Sequence, residues 1–131
     1  MGGRVNLDMT FLIDLHREQC GRGTRGARQF LESHPDSRFH VSVVAAMEFL
    51  EGFADCARGE HCLGPFKQVV FDDQMARRAS RIRRELREKG MLIGDLDILI
   101  AATAMQMGEP LVTANEAHFQ RVSGLECISY R

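Results

Sequence analysis

A chain of 131 residues with 44% hydrophobic and 27% charged residues has the size and composition of one folded domain that buries its own core, which excludes a disordered tail and predicts one domain over residues 1–131. The 17 Lys and Arg against 18 Asp and Glu leave a net charge of -1, so bulk charge does not advertise nucleic-acid binding and any such partner is held by local patches. No apolar run approaches the ~20 residues of a membrane span. No secretory leader pattern opens the chain, and four scattered cysteines without a C-x-x-C pair fit a reducing cytoplasm.

In chain order, Val5-Asn6-Leu7-Asp8 reads as a short strand ending at Asp8, and Met9 to Cys20 carries Leu12 and Leu15 at helical spacing. Gly21 to Thr24 is a turn cluster, after which Ala27, Phe30 and Leu31 share a helical face up to the His34-Pro35 break. Phe39 to Val41 is the next strand. Ser42 is placed to cap a helix running to about Asp55, with Val44, Met47, Glu48 and Glu51 three or four apart. Gly59 to Phe66 reads as loop or short helix, and Val69-Val70-Phe71 as a buried strand closed by Asp72-Asp73.

Between Gln74 and Lys89 the apolar residues Met75, Ala79, Ile82 and Leu86 recur at helical spacing, with Gly90 as the stop. A further helix from Asp95 to Met107 ends at Gly108 and Pro110, followed by strands at Leu111–Thr113 and Cys127–Tyr130. Strands alternating with helices predict an α/β fold, a mostly parallel sheet of four or five short strands with helices on both faces. Ligands of such sheets sit at the carboxyl ends of strands near the switch point, where Asp8 and Thr113 fall.

Three acids stand out. Asp8 closes the first strand, Glu48 lies in the helix after the second, and Asp97 opens the helix before the fourth. Carboxylates converging on one rim repel one another unless they bind a hard divalent cation such as Mg²⁺ or Mn²⁺, or hold a proton. A zinc site from Cys56, His61 and Cys62 is the weaker metal reading, because paired ligand knuckles are missing.

Four blocks carry a family resemblance. Leu7-Asp8-Met9-Thr10 resembles the opening of PIN-domain proteins, whose first strand ends in Asp followed one residue later by Ser, Thr or Asn. Val41 to Gly52 resembles the family's Ser…Glu-Leu…Gly helix, with Glu48 as the acid and Phe49 where Leu is common. Asp97-Ile98-Leu99-Ile100-Ala101-Ala102 resembles the block in which an acid precedes Leu-Ile-Ala-Ala, and Leu111-Val112-Thr113-Ala114-Asn115 the Leu-Val-Thr-x-Asn stretch, with Gly124-Leu125 after it. The resemblance is nearest to VapC-type toxins of toxin-antitoxin pairs. It implies a PIN-like three-layer α/β/α sandwich and a Mg²⁺- or Mn²⁺-dependent endoribonuclease. The implied metal and catalytic residues are Asp8, Glu48 and Asp97, with Thr10, Thr113, Asn115 and Glu116 positioning water or substrate. RNA, a cognate VapB-like antitoxin and a second copy of the chain are the implied partners. Many PIN nucleases carry a fourth acid where this chain has Asn115, and Glu116 beside it is the candidate substitute.

Two other readings compete. A PIN-like module that has lost catalysis would only bind RNA or antitoxin. A HAD-type phosphatase would want Asp, not Thr, two residues after Asp8. Singly, Asp8 and Asp97 also read as caps, Asp95 as the cap of its helix, Asp14 as a solvent-facing partner of Arg17, and His118 as structural. Fifteen of the basic residues are arginine. Those between Arg77 and Arg87, and Arg22, Arg25 and Arg28 in the turn, read either as solvated faces or as phosphate-tracking surfaces.

Overall fold

A computed structural model of the chain describes residues 2–131. In order it contains β1 (Arg4–Leu7), α1 (Met9–Gln19), α2 (Gly26–Ser33), β2 (Arg38–Ser42), α3 (Val43–Glu51), α4 (Cys56–Leu63), β3 (Lys67–Val69), α5 (Asp73–Glu88), α6 (Asp95–Met107), β4 (Leu111–Val112), α7 (Glu116–Phe119) and β5 (Cys127–Ile128). The strands form one sheet in the order β3-β2-β1-β4-β5 with every pairing parallel. Parallel neighbours need crossover connections, and the intervening helices supply them.

β1 is central, with Leu7 opposite Val41 on one side and Val112 on the other. Adjacent strand residues point to opposite faces, and Asn6 and Leu7 both have no exposed surface, as do Leu111 and Val112. Both faces of the sheet are therefore covered, which makes the three-layer α/β/α sandwich. The chain builds β2 and β3 outward on one side of β1 and then crosses to β4 and β5 on the other. The switch point lies between β1 and β4, and Asp8 and Thr113 follow the carboxyl ends of those strands.

α5 buries Met75, Ala79, Ile82 and Leu86, as the periodicity predicts. It packs on α6, whose Ile98, Ala101 and Ala102 are buried. Gly108 ends α6 in the left-handed region at φ 67°, a conformation that a side chain disfavours. A polar cluster also sits in the core. Glu109 accepts from Asn6 Nδ2 at 2.9 Å and pairs with His40 Nδ1 at 2.9 Å, all three residues being buried.

Several expectations need correction. The helix after Ser42 stops at Glu51 with Gly52 as its C-cap, and Asp55 starts α4 instead, its carboxylate accepting from Ala57 N–H. The strand expected at Val69–Phe71 as a buried one is Lys67–Val69 on the sheet edge, and Val70 is 71% exposed. A β-rich apolar triplet cannot distinguish a central strand from an edge. β5 covers only Cys127–Ile128 of the expected Cys127–Tyr130. Asp95 does not cap α6; Gly94 holds that position, and Asp95 pairs with Arg83 at 3.1 Å. Asp14 pairs with Arg131 at 2.7 Å and accepts from Tyr130 Oη at 2.6 Å, not with Arg17.

Candidate active site

Asp8 is the anchor. Its position directly after β1 makes it the N-cap of α1, and Oδ1 accepts from Phe11 N–H at 3.2 Å. The cap reading and the site reading thus describe one residue. Oδ1 also accepts from Thr10 Oγ1, and Oδ2 from Thr113 Oγ1, both at 2.6 Å. Each hydroxyl is itself oriented, because Thr10 Oγ1 accepts from Ala114 N–H at 3.1 Å and Thr113 Oγ1 from Asn115 N–H at 2.9 Å. Two backbone donors after β4 therefore turn two hydroxyl protons onto the carboxylate of β1. A carboxylate offers about four acceptor positions. Three are in use, and the remaining one belongs to Oδ2.

Burial raises the Asp8 carboxyl above its ordinary pKa, the two hydroxyls and the Phe11 N–H pull it back, and the charge of Asp97 raises it again. Glu48, half-buried on α3, is also raised, first by burial and then by the charges of Asp97, Asp8 and Glu51. The three acids thus lie within electrostatic reach of one another. Glu48 Oε1 is buried with no hydrogen-bond partner. An unpaired buried carboxylate oxygen is costly and calls for a counter-charge.

Asp97, in the first turn of α6, is held by His118 of α7, with Nε2 2.8 Å from Oδ2. The sequence reading treats His118 as structural and misses this contact. Its only signal is the placement of His118 three residues after Asn115, since α7 is a single turn whose direction no periodicity encodes. Asn115 contributes its backbone N–H to Thr113, and its side chain is exposed and forms no cap bond. Glu116 accepts from Gln120 Nε2 at 2.8 Å. After burial, its charge is the main influence holding the Cys127 thiol up at about 11, and it is not among the charges acting on Asp8 or Glu48.

Hard oxygen donors that raise one another's pKa, with one unsatisfied atom among them, fit Mg²⁺ or Mn²⁺. Among the described residues no three His, Cys, Asp or Glu side chains stand close enough to hold a metal directly, so the fit is to an ion held partly through water. The zinc reading from Cys56, His61 and Cys62 gains nothing, since those three side chains do not stand close enough to hold a metal. His16, Cys20 and Cys62 do meet, but the two sulfurs address opposite ring nitrogens, at 3.8 Å from Nε2 and 3.5 Å from Nδ1.

A buried Asp at the switch point of an all-parallel α/β/α sheet, with two further acids whose charges act on the site, fits one class: the PIN-domain family model matches residues 6–125, and the chain belongs to that family. Within it the similarity is to VapC ribonucleases. Ribonuclease VapC1 of Methanocaldococcus jannaschii is 37% identical over 86 residues, 63% of this chain and 62% of that protein. Ribonuclease VapC10 of Mycobacterium tuberculosis is 36% identical over 101 residues, 75% of this chain and 76% of that one. The chain thus spans somewhat under two thirds of the first relative and about three quarters of the second. The crystal structure of VapBC2 from Rickettsia felis bound to a DNA fragment from their promoter shares the fold, with a TM-score of 0.83 at 20% identity, covering 96% of this chain and 98% of that one.

Proposed function

We propose that this chain is a Mg²⁺- or Mn²⁺-dependent endoribonuclease of the VapC type, the toxin of a VapBC-type pair. The observation that carries the reading is the unpaired buried oxygen of Glu48, whose carboxyl is raised by burial and by the charges of Asp97 and Asp8. A site of this kind is incomplete without a cation. Asp8, Glu48 and Asp97 would hold the ion, directly or through water, and bound there it would supply positive charge against the scissile phosphate and a lowered pKa for the attacking water.

The chain's own residues do the positioning. Thr10 and Thr113 fix the Asp8 carboxylate from both oxygens, and His118 fixes Asp97. Orientation by such outer partners commonly matters about 10–100-fold in metal affinity or activity. Asn115, exposed beside Thr113, is placed to bond substrate, and Glu116 stands one residue further as the candidate fourth acid. Cleavage is a hydrolysis, without a covalent enzyme intermediate.

The cytoplasm is the compartment this reading implies; no helix among the described residues is long and apolar enough to cross a membrane. The likeness to VapBC complexes such as that of nontypeable Haemophilus influenzae, with a TM-score of 0.80 at 20% identity, supports a VapB-like antitoxin as partner, and a second copy of the chain is the further partner of this reading. The deciding experiment incubates RNA with the purified chain and Mg²⁺ or Mn²⁺, alongside Asp8→Asn and Asp97→Asn. Cleavage by the parent alone supports the proposal. RNA binding with no cleavage under any divalent ion makes the chain a binding module instead.

A further inference from the structure

A pocket of about 510 Å³ opens beside Glu48 between α1, α3 and α4, its wall including Arg17, Arg22, Arg58, His16 and Phe53. Among the described residues none of these three arginines is in an ion pair. On α5, Arg77 pairs with Asp73, Arg83 with Asp95, and Arg78 donates to Gln106, while Arg81, Arg84 and Arg87 are in no ion pair among the described residues; what sets the pocket arginines apart is that they share a wall with Glu48 and aromatic rings. The other acid on the pocket wall, Asp55, is engaged as the cap of α4.

The apolar part of the wall is aromatic. His16 lies edge-on to Phe53 with centroids 4.9 Å apart, and Phe53 to Phe49 likewise at 4.9 Å. Cys62 and Cys20 bracket the His16 ring at its two nitrogens. Unpaired guanidinium groups beside half-buried rings match the two halves of a nucleotide, because arginine forks onto phosphate and rings stack on bases. An acidic peptide would use the arginines and leave the aromatic wall idle.

The geometry points to this pocket as the subsite for the nucleotide flanking the scissile phosphate of single-stranded RNA. The base lies against Phe53 and His16, and the phosphate meets Arg17, Arg22 and Arg58. Glu48 shares the wall, so a strand seated here leads onto the acids. A base inside a duplex cannot reach such a wall, so the substrate presents an unpaired nucleotide at this point. The inference rests on the ribonuclease reading above.

The test compares Arg22→Gln/Arg58→Gln with Arg77→Gln/Arg81→Gln, an equal loss of charge on the outer face of α5. One readout is binding of a fluorescein-labelled single-stranded RNA to the chelator-treated chain across salt concentrations. The other is KM and kcat for that RNA and for bis(p-nitrophenyl) phosphate, a diester with no flanking nucleotide.

Each lost phosphate contact lowers the logarithmic salt slope by about 0.7 on a single strand, so the pocket variant loses ~1.4. Between about 50 and 200 mM salt the parent then loses ~7-fold more affinity than the variant. KM for RNA rises while kcat and the diester kinetics hold. An unchanged slope and KM, equal effects in the α5 control, a parent that binds no RNA, or a variant that loses only a protein partner each overturn the subsite. If the parent hydrolyses neither RNA nor diester with Mg²⁺ or Mn²⁺, the ribonuclease reading fails, and the chelated binding comparison still judges the pocket.

Discussion

Thr113→Val keeps the shape of a fully buried side chain and deletes its hydroxyl. Two bonds go with it, the 2.6 Å donation to Asp8 Oδ2 and the 2.9 Å acceptance from Asn115 N–H. The first is the expensive one, because a hydrogen bond to a charged group contributes about 1.5–3 kcal/mol. The second costs little, since Asn115 is exposed and its N–H can turn to water. The expected loss is about 2–3 kcal/mol, or ~8–12 °C in Tm at roughly 4 °C per kcal/mol for a chain of this size.

Thr113→Ser retains both bonds and loses one methyl, about 1 kcal/mol. Thermal unfolding in chelator at neutral pH therefore separates the two variants by at least several degrees. The valine deficit also narrows as the pH falls through the raised pKa of Asp8, because a neutral carboxyl makes a weaker bond with its donor. Valine and serine variants that melt together, or a valine deficit independent of pH, refute the claim that Thr113 works by holding the Asp8 carboxylate.

Four further outcomes follow. Asp8 and Glu48 are both held above their ordinary values of 3.8 and 4.5, so between those values and the raised ones the folded chain binds more protons than the unfolded one. Their contribution to stability is thus full below about pH 4 and lost as pH rises. Glu48→Gln removes one of the repelling charges: its Tm in chelator exceeds the parent's at pH 7, the gain fades toward pH 4, and cleavage disappears. Conversely, Mg²⁺ or Mn²⁺ at about 100 times its dissociation constant stabilises the parent by ~2.7 kcal/mol, a shift that calorimetry reads and that Glu48→Gln blunts. His118→Ala, which frees Asp97, weakens metal affinity by about 10–100-fold with little change in Tm, checked by metal titration. Glu109→Ala removes the buried acceptor shared by His40 and Asn6 and costs about 1.5–3 kcal/mol by denaturant unfolding.

What the sequence made legible follows physical range. Asp8 and Asp97 stand at a strand end and a helix start that turn residues and periodicity locate, Glu48 lies inside the helix that Ser42 caps, and α5 declares its buried face through four residues at helical spacing. Features set by distant parts of the chain did not show. Asp14 meets Tyr130 and Arg131 across more than a hundred residues. The edge position of β3 depends on which strands crossed to the far side of β1, and no local pattern encodes that choice. His118 reaches Asp97 only because one turn of helix after Asn115 aims it there. Arg22, one of the ambiguous turn arginines, acquires company from α1 and α4 that only folding provides.

Hydrolysis of RNA by Asp8, Glu48 and Asp97 with a divalent cation is the reaction proposed for this site. It is tested most directly by mapping the ends of RNA cut by the purified chain with Mg²⁺ or Mn²⁺, with chelator and with the Asp97→Asn variant. The expected products are 5′-phosphate and 3′-hydroxyl ends, formed by the parent alone and only with the cation. A 2′,3′-cyclic phosphate, or undiminished cutting in chelator, contradicts it.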